Sequence, residues 1–319
     1  MPATDSYQQR FHRRWGHLRR APVRALAWLL DSPDLLDVHA PPWAGRVATL
    51  GAVTPEVADW LARLDADPAA LDAALGTRNY TRLGLYAEKL MAFYFEQQGR
   101  LVAHGLQVRA ARNDTVGEFD FLLADEGTGP DALVHIEFAT KFYLLDGEAG
   151  QQFDALVGPN LADSLGVKMR KVFERQLALG AHPAAQPLLP RPVTQAQALV
   201  KGWLFYPSGS WPAMQGIAAG HCRGFWCALD EFGQQAGEEF LVLPKLEWLA
   251  PLRTWSDAPI RGRAQLIREL EQQFTTSGTP VLVAIMRRNG AVIEEIERGF
   301  VVSNDWRERA AEVRMVKPV

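Results

Sequence analysis

The stretch of sequence that decides the fold is residues 118–145, EFDFLLADEGTGPDALVHIEFATKFYLL. Two runs rich in aromatic, branched and other apolar residues, 118–124 and 132–145, enclose a segment that holds two glycines and a proline. Apolar runs of this kind that flank such turn residues are typical of strands. The sequence therefore predicts two antiparallel strands joined as a hairpin with a slightly long loop.

The segments on either side extend this pattern. Residues 81–98 lack proline and keep apolar side chains at helical spacing, which predicts a helix, and a further strand is predicted at about 101–110. After the hairpin, 161–179 predicts a second helix, and a proline-rich loop separates it from a strand at 199–207. The order is helix-strand-strand-strand-helix-strand, which predicts an α/β fold with a mixed sheet flanked by helices.

The pattern divides the chain into three regions. Residues 1–80 are predicted to be a helical N-terminal segment, and 81–207 form the core. Residues 208–319 hold several strand-like runs and an amphipathic helical pattern at 263–274, so they predict an α+β extension that packs on the core.

Composition excludes several classes of protein. The chain has 319 residues, 34 Lys+Arg against 37 Asp+Glu and 48% hydrophobic residues, which is an ordinary globular composition. The net charge of -3 excludes a globally basic nucleic-acid binder but leaves local basic patches open. Since no run of 18 apolar residues occurs, we expect no membrane span. The presence of only two cysteines favours a reducing compartment, so we expect a cytoplasmic protein.

The two cysteines, Cys222 and Cys227, cannot supply a disulfide framework for a chain of this length. With His221 they suggest zinc at first sight, but a structural zinc site needs four ligands and uses other spacings. Buried core thiols are the favoured interpretation.

The first 24 residues are rich in arginine. This segment could be an arm for phosphate groups, or a solvated, partly helical terminus that packs Trp15 and Leu18 on the body of the protein. The second interpretation is favoured, because runs of charge are usually solvated surfaces.

The candidate chemistry lies in a set of acids. Asp120 in GEFDF and Glu137 in HIEFATKF belong to neighbouring predicted strands, and opposite side chains of a hairpin lie about 5 Å apart. Glu88 falls inside an apolar stripe of the preceding helix, where a lone carboxylate needs a partner; an arginine would be the purely structural one. Converging carboxylates need a cation, and oxygen ligands suit Mg²⁺ or Mn²⁺. The alternative is that these acids are surface charges of the hairpin.

Two sets of basic residues accompany the acids. Lys141 lies on the same strand face as Glu137 and could place a positive charge near a water molecule or a scissile phosphate. Lys168, Lys171 and Arg175 share a face of the second predicted helix and could contact a nucleic-acid backbone. Their alternative is a solvated helix surface.

Motifs across the chain resemble a known family. They begin near Leu83 and comprise GEFDF, HIEFATKFYL, GPNLADSL, KGWLFYP, HCRGFW, LPKLEWLAP and RGFVV. Together they resemble the uncharacterised bacterial domain-of-unknown-function family numbered 1853 over nearly the whole chain. That family name implies no activity.

At greater distance, the order of elements is similar to that of the PD-(D/E)xK nuclease superfamily. In that superfamily a glutamate on the first helix, an aspartate on the second strand and a Glu-x-Lys on the third build a divalent-metal nuclease site. The resemblance implies that Glu88, Asp120 and Glu137 hold the metal. The chain departs from the motif at the lysine, because Ala139 occupies its position. Lys141 lies two residues further along the predicted strand, on the same face.

The resemblance implies a metal-dependent nuclease that hydrolyses phosphodiester bonds in nucleic acid, with Asp120, Glu137 and Lys141 as catalytic residues. The displaced lysine leaves open a catalytically inactive module that binds nucleic acid or a protein, whose identity the sequence does not indicate. An enzyme that acts on a small phosphorylated substrate would use the same acids.

Overall fold

A computed structural model of the chain describes residues 6–77, 80–111, 114–125, 132–147, 153–207, 211–255 and 257–316, with only the backbone at 314–316. The described helices are α1 (Tyr7–Trp15), α2 (Ala21–Asp31), α3 (Pro55–Ala66), α4 (Ala69–Leu75), α5 (Leu83–Gln97), α6 (Leu165–Lys171), α7 (Arg263–Thr276) and α8 (Trp306–Val316). The described strands are β1 (Leu101–Ala111), β2 (Asp114–Ala124), β3 (Leu133–Leu145), β4 (Leu156–Val157), β5 (Val193–Pro207), β6 (Cys222–Ala228), β7 (Glu239–Val242), β8 (Arg253–Trp255), β9 (Arg261–Gly262), β10 (Val281–Asn289) and β11 (Val292–Val302).

One mixed sheet connects all of these strands. Its order is β1-β2-β3-β5-β6-β11-β10-β7-β9, with β4 on β3 and β8 on β11. Strands β1, β2 and β3 are antiparallel neighbours, whereas β5 is parallel to β3 and to β6. The predicted α/β class with a mixed sheet and flanking helices is confirmed, and the sheet continues from β5 into β6 without a break.

The predicted order from α5 to β5 is also observed, apart from the short extra strand β4. Helix α5 and strands β1 and β3 lie where the periodicity predicts them, whereas β2 begins at Asp114, four residues before its predicted start. Strand β5 starts at Val193, so the last part of the predicted loop is already in the sheet. The predicted hairpin loop at 125–131 lies outside the described residues, except for Asp125.

The second predicted helix differs from the prediction. Instead of one helix over 161–179, the chain forms α6, capped by the side chain of Ser164, and then a π-helical turn at Val172–Gln176. In this turn the Leu177 N–H donates to the carbonyl of Val172 at 3.0 Å, a five-residue hydrogen bond that a regular α-helix does not make.

Strand alternation assigns the faces of the sheet. In β5, Leu199 and Trp203 pack in the core formed with α1, α2 and α5, whereas Val200 and Leu204 pack in the core formed with α6. Helix α7 covers a third core over β10 and β11. Both faces of the central strands are therefore buried, which explains their nearly continuous apolar sequences.

The arginine-rich terminus is folded onto the body of the protein. Trp15 and Leu18 are buried. Arg24 is buried too, and it donates to the backbone carbonyls of Trp15, Leu18 and Pro251. Arg14 forms an ion pair with Asp31 at 2.6 Å. The packed terminus is confirmed.

Cys222 and Cys227 are free and buried, as predicted. Among the residues that the structure describes, no helix has both the length and the apolar character needed to cross a bilayer.

Candidate functional site

Glu88 projects from α5 toward β1, where its partner is a histidine. The Nε2 atom of His104 lies 2.7 Å from Oε1 of Glu88, and both side chains are about one-fifth exposed. The imidazole ring of His104 also stacks on Phe121, with ring centroids 5.3 Å apart. The carboxylate therefore has the partner that its place in an apolar stripe requires, but that partner is not an arginine.

Three acids from two elements meet at this point. One carboxylate oxygen from each of Glu88, Glu118 and Asp120 lies within 4.8 Å of the other two. Gly105 on β1 leaves room for them: its φ is +63°, and a Cβ atom there would lie 3.4 Å from Oε1 of Glu118. The left-handed backbone favours glycine and keeps a side chain out of the site.

Asp120 also faces Glu137 on β3. The pairing of β2 with β3 ends at Phe121 and Ile136, and the same register continued by one residue places Asp120 opposite Glu137. Burial is the main cause that raises the pKa of Asp120 to about 8, and the negative charge of Glu137 adds to it. Burial raises the pKa of Glu137 to about 7. With no cation present, the two carboxylates therefore hold a proton near neutral pH.

Glu137 is almost fully enclosed, with 2% of its surface exposed. Its Oε1 accepts a hydrogen bond from Nε2 of Gln176, while no protein donor is aimed at the buried Oε2. The Glu137 carboxyl also lies within hydrogen-bonding reach of the Asp120 carboxyl, with which it can share a proton. The nearest cationic candidate on its own strand is His135, whose Nε2 lies 3.7 Å from Oε2. Burial lowers the pKa of His135 to about 4, so this imidazole is neutral and cannot compensate the carboxylate.

Lys141 lies on the predicted strand face, and its ion-pair partner is Asp163. The Lys141 Nζ is 3.8 Å from Oδ2 of Asp163, and the Tyr143 hydroxyl donates to the same oxygen at 2.9 Å. Burial lowers the pKa of the lysine, and Asp163 opposes that shift. The structure thus brings Lys141 to Asp163, a residue that the sequence analysis did not identify.

Two of the three basic residues predicted on the second helix act on the acids. The positive charges of Lys168 and Lys171 lower the pKa of Glu137 against the effect of burial. The Lys168 Nζ donates to Oε1 of Gln176 at 3.3 Å. Arg175 is exposed. Because the π-helical turn adds a residue, Gln176 rather than Arg175 comes into line with Lys168.

Besides Asp163, three further residues contribute to the site without having been predicted as site residues. Glu118 could have been found, since it shares a strand face with Asp120 in GEFDF. Gln176 could not, because its place depends on the π-helical turn. His104 carries no local signal either, since only the pairing of β1 with β2 brings it to Glu88.

The arrangement combines several carboxylate oxygens with a positive side formed by lysines. Glu88, Glu118 and Asp120 offer oxygens within 4.8 Å of one another. Glu137, the third acid of the predicted metal set, is not a member of this group, and its carboxyl meets that of Asp120. Oxygen donors of this type are the ligands that Mg²⁺ and Mn²⁺ take in proteins. These residues fit a hard divalent cation.

Comparison with known proteins gives one finding about family. No curated protein and no solved structure matches the chain. The family model described as "Domain of unknown function (DUF1853)" matches residues 24–302 of the 319. Since the match covers nearly the full length, the chain belongs to the DUF1853 family.

Proposed function

We propose that this protein is a metal-dependent nuclease that hydrolyses phosphodiester bonds in nucleic acid, using Mg²⁺ or Mn²⁺ held by Glu88, Asp120 and Glu137. Glu118 joins this set on the strength of its position beside Glu88 and Asp120. The topology from α5 to β5 supports the proposal, because its order is the one that the resemblance to the PD-(D/E)xK superfamily implies.

The observation that carries the proposal is the convergence of acids at one place without enough positive charge among the described side chains. Glu88, Glu118 and Asp120 approach one another to within 4.8 Å, and no protein donor is aimed at the buried Oε2 of Glu137. Buried polar atoms are nearly always satisfied, so the Asp120–Glu137 pair needs either a shared proton or a cation. A divalent cation would satisfy it and replace the proton that Asp120 and Glu137 hold.

Bound at these oxygens, such a cation polarises a phosphate and lowers the pKa of a coordinated water molecule. The residues of the chain supply the rest of the chemistry. Asp120 and Glu137 fix the ligand geometry from adjacent strands, and the backbone N–H of Phe138 orients Asp120. Lys168 and Lys171 make the α6 side of the site positive, which favours a phosphodiester there.

Lys141 has a defined role in this proposal. It would orient the attacking water or stabilise the charge that develops on the phosphate. Lys141 lies on the same face of β3 as Glu137, and its ammonium group forms an ion pair with Asp163. A lysine side chain is flexible enough to move from this carboxylate to a substrate.

The second candidate is a catalytically inactive nuclease-like module that binds nucleic acid or protein. Two observations favour it. Ala139 stands at the position of the motif lysine, and Lys141 already has Asp163 as its partner. In this function the acids would still bind a cation or a proton, but no substrate would be cut.

The experiment that tests the proposal is a cleavage assay of the wild type and Glu137→Gln. Plasmid, linear duplex and single-stranded substrates, DNA and RNA, are incubated with Mg²⁺ or Mn²⁺, and with a chelator as the blank. We expect cleavage by the wild type, lost with the chelator and in Glu137→Gln. Glu174→Gln, an exposed acid on the π-helical turn, is the matched control and should cut normally.

Equal residual cleavage in the wild type and Glu137→Gln would assign the activity to a contaminant. No cleavage by either, together with Mn²⁺ binding by the wild type, would favour the inactive module.

A further inference from the structure

We infer that Gln176 is a positioning residue that holds one oxygen of Glu137 and leaves the other oxygen for the cation, and that Lys168 fixes the orientation of the Gln176 amide. The inference rests on the proposed function for its cation, while the hydrogen-bonded chain from Lys168 to Glu137 stands on geometry alone.

The chemistry of the three side chains permits one orientation of the amide. A lysine ammonium group only donates hydrogen bonds, and a carboxylate only accepts them. The Lys168 Nζ lies 3.3 Å from Gln176, so it must face the amide oxygen. The amide NH₂ then faces Oε1 of Glu137 and donates to it. A flipped amide would put two donors together at Lys168 and two acceptors together at Glu137.

The π-helical turn creates this alignment. Residues eight apart, such as Lys168 and Gln176, lie about 80° apart around a regular α-helix of 3.6 residues per turn. The turn at Val172–Gln176 accommodates one extra residue, so the pair is placed nearly as two residues seven apart, which share a helix face. Turns of this kind often occur at functional sites, and here the consequence is specific.

The hydrogen bond from Gln176 also gives the two oxygens of Glu137 different environments. Oε1 is used by Gln176, whereas no protein donor is aimed at the buried Oε2. Oε2 is therefore the oxygen left for what Glu137 shares with Asp120, which is a proton in the metal-free protein and a cation in the proposed function. An oxygen that already accepts a hydrogen bond keeps the carboxylate from rotating, as supporting residues around metal ligands do.

The test is Mn²⁺ binding to the full chain, measured by calorimetry for the wild type, Gln176→Leu and Lys168→Met. Gln176→Leu keeps the approximate volume and removes the amide. We expect it to weaken Mn²⁺ binding about tenfold to a hundredfold, since a hydrogen bond to a charged group is lost. Lys168→Met should weaken it less, and Lys168→Arg, which keeps the donors, should recover most of the affinity.

The double variant Lys168→Met with Gln176→Leu separates a chain of contacts from two independent effects. The charge of Lys168 also acts directly on Glu137, and this part of its effect persists without Gln176. If Lys168 also acts through Gln176, Lys168→Met changes Mn²⁺ affinity less in the Gln176→Leu background than in the wild type. Effects that multiply fully would overturn the role given to Lys168. Unchanged Mn²⁺ affinity in Gln176→Leu, with Glu174→Gln as the control on the same turn, would overturn the role given to Gln176.

A measurement without metal keeps failure of the inference distinct from failure of the proposed function. In metal-free protein, urea unfolding of Gln176→Leu, Glu137→Gln and the double variant gives the coupling between the two side chains. Coupling supports the hydrogen bond, and its absence overturns the inference. If the wild type binds no Mn²⁺, the proposed function fails, and the positioning role is decided by this cycle alone.

Discussion

Asp120 on β2 accepts a hydrogen bond at Oδ2 from the backbone N–H of Phe138 on β3, at 2.9 Å. The regular pairing of the two strands extends only as far as Phe121, the residue that follows Asp120 on β2. The carboxylate therefore takes the place of a backbone acceptor where the strands separate, and it is held next to Glu137.

The first prediction uses this hydrogen bond. Asp120→Asn keeps an oxygen that can accept from Phe138, so the fold should persist, but it removes the negative charge. Millimolar Mg²⁺ or Mn²⁺ should raise the Tm of the wild type, because the ion binds only the folded state. In Asp120→Asn this gain should disappear.

Thermal unfolding with and without the ion checks this result, and Asp59→Asn on the exposed side of α3 is the control that should keep the gain. A wild-type Tm that the ion leaves unmoved would show that the metal site as drawn is wrong.

The second prediction concerns pH. The folded protein holds Asp120 with a pKa of about 8 and Glu137 with a pKa of about 7, whereas unfolded carboxyl groups release their protons near pH 4. Between these values the folded state binds more protons than the unfolded state. The free energy of unfolding of metal-free protein should therefore fall as the pH rises from about 4 to about 8.

Urea unfolding at pH 5 and pH 8 measures the effect. Asp120→Asn should flatten the dependence and stabilise the metal-free protein at pH 8 by on the order of 1 to 3 kcal/mol. A slope that is the same in wild type and variant would mean that Asp120 does not have a raised pKa in the folded protein.

Much of the candidate site was predictable because it follows from local periodicity. Strand alternation and hairpin pairing place Asp120 opposite Glu137 with Lys141 on the face of Glu137, and helical spacing places Glu88 at the partly exposed margin of the buried face of α5. These rules depend only on neighbours in sequence.

The remaining contacts depend on events that no local rule describes. A π-helical turn decides that Gln176 rather than Arg175 aligns with Lys168. The loop after β4 brings Asp163 to Lys141, and the fold of β1 brings His104 to Glu88. Residues that meet through tertiary packing leave no periodic signal in a single sequence.

The third prediction concerns a fully buried ion pair away from the site. Arg298 contacts Glu295 through Nε at 2.6 Å and Nη2 at 2.7 Å, and neither side chain is exposed. Glu295→Gln would leave the guanidinium buried without its counter-charge, so it should lower the free energy of unfolding by about 3–5 kcal/mol. Urea denaturation measures this loss.

Glu294→Gln is the neighbouring control. Its partner Arg253 lies 3.3 Å away, and both side chains are about one-fifth exposed, so the loss should stay near or below about 1 kcal/mol. If the free energy of unfolding fell by the same amount in the two variants, burial would not make the Arg298–Glu295 pair more costly to break than an exposed one.

The last prediction concerns Lys141, the residue at which the chain departs from the nuclease motif. Compared with position 139, its Cα lies about 6.5–7 Å further along the strand on the same face, a distance that a flexible lysine stem can partly recover. Its ion pair with Asp163 spans 3.8 Å and is partly exposed, so its loss should cost the fold no more than about 1 kcal/mol.

If the site is catalytic, Lys141→Ala should lower turnover by about a hundredfold or more, because it removes charge stabilisation in the transition state, while the Tm and the Mn²⁺ affinity stay nearly unchanged. The exposed Lys245→Ala is the control that should cut at the wild-type rate. Turnover in Lys141→Ala equal to that of the wild type would leave Lys141 as a structural partner of Asp163 and Tyr143, and the charge near the phosphate would then have to come from the lysines of α6.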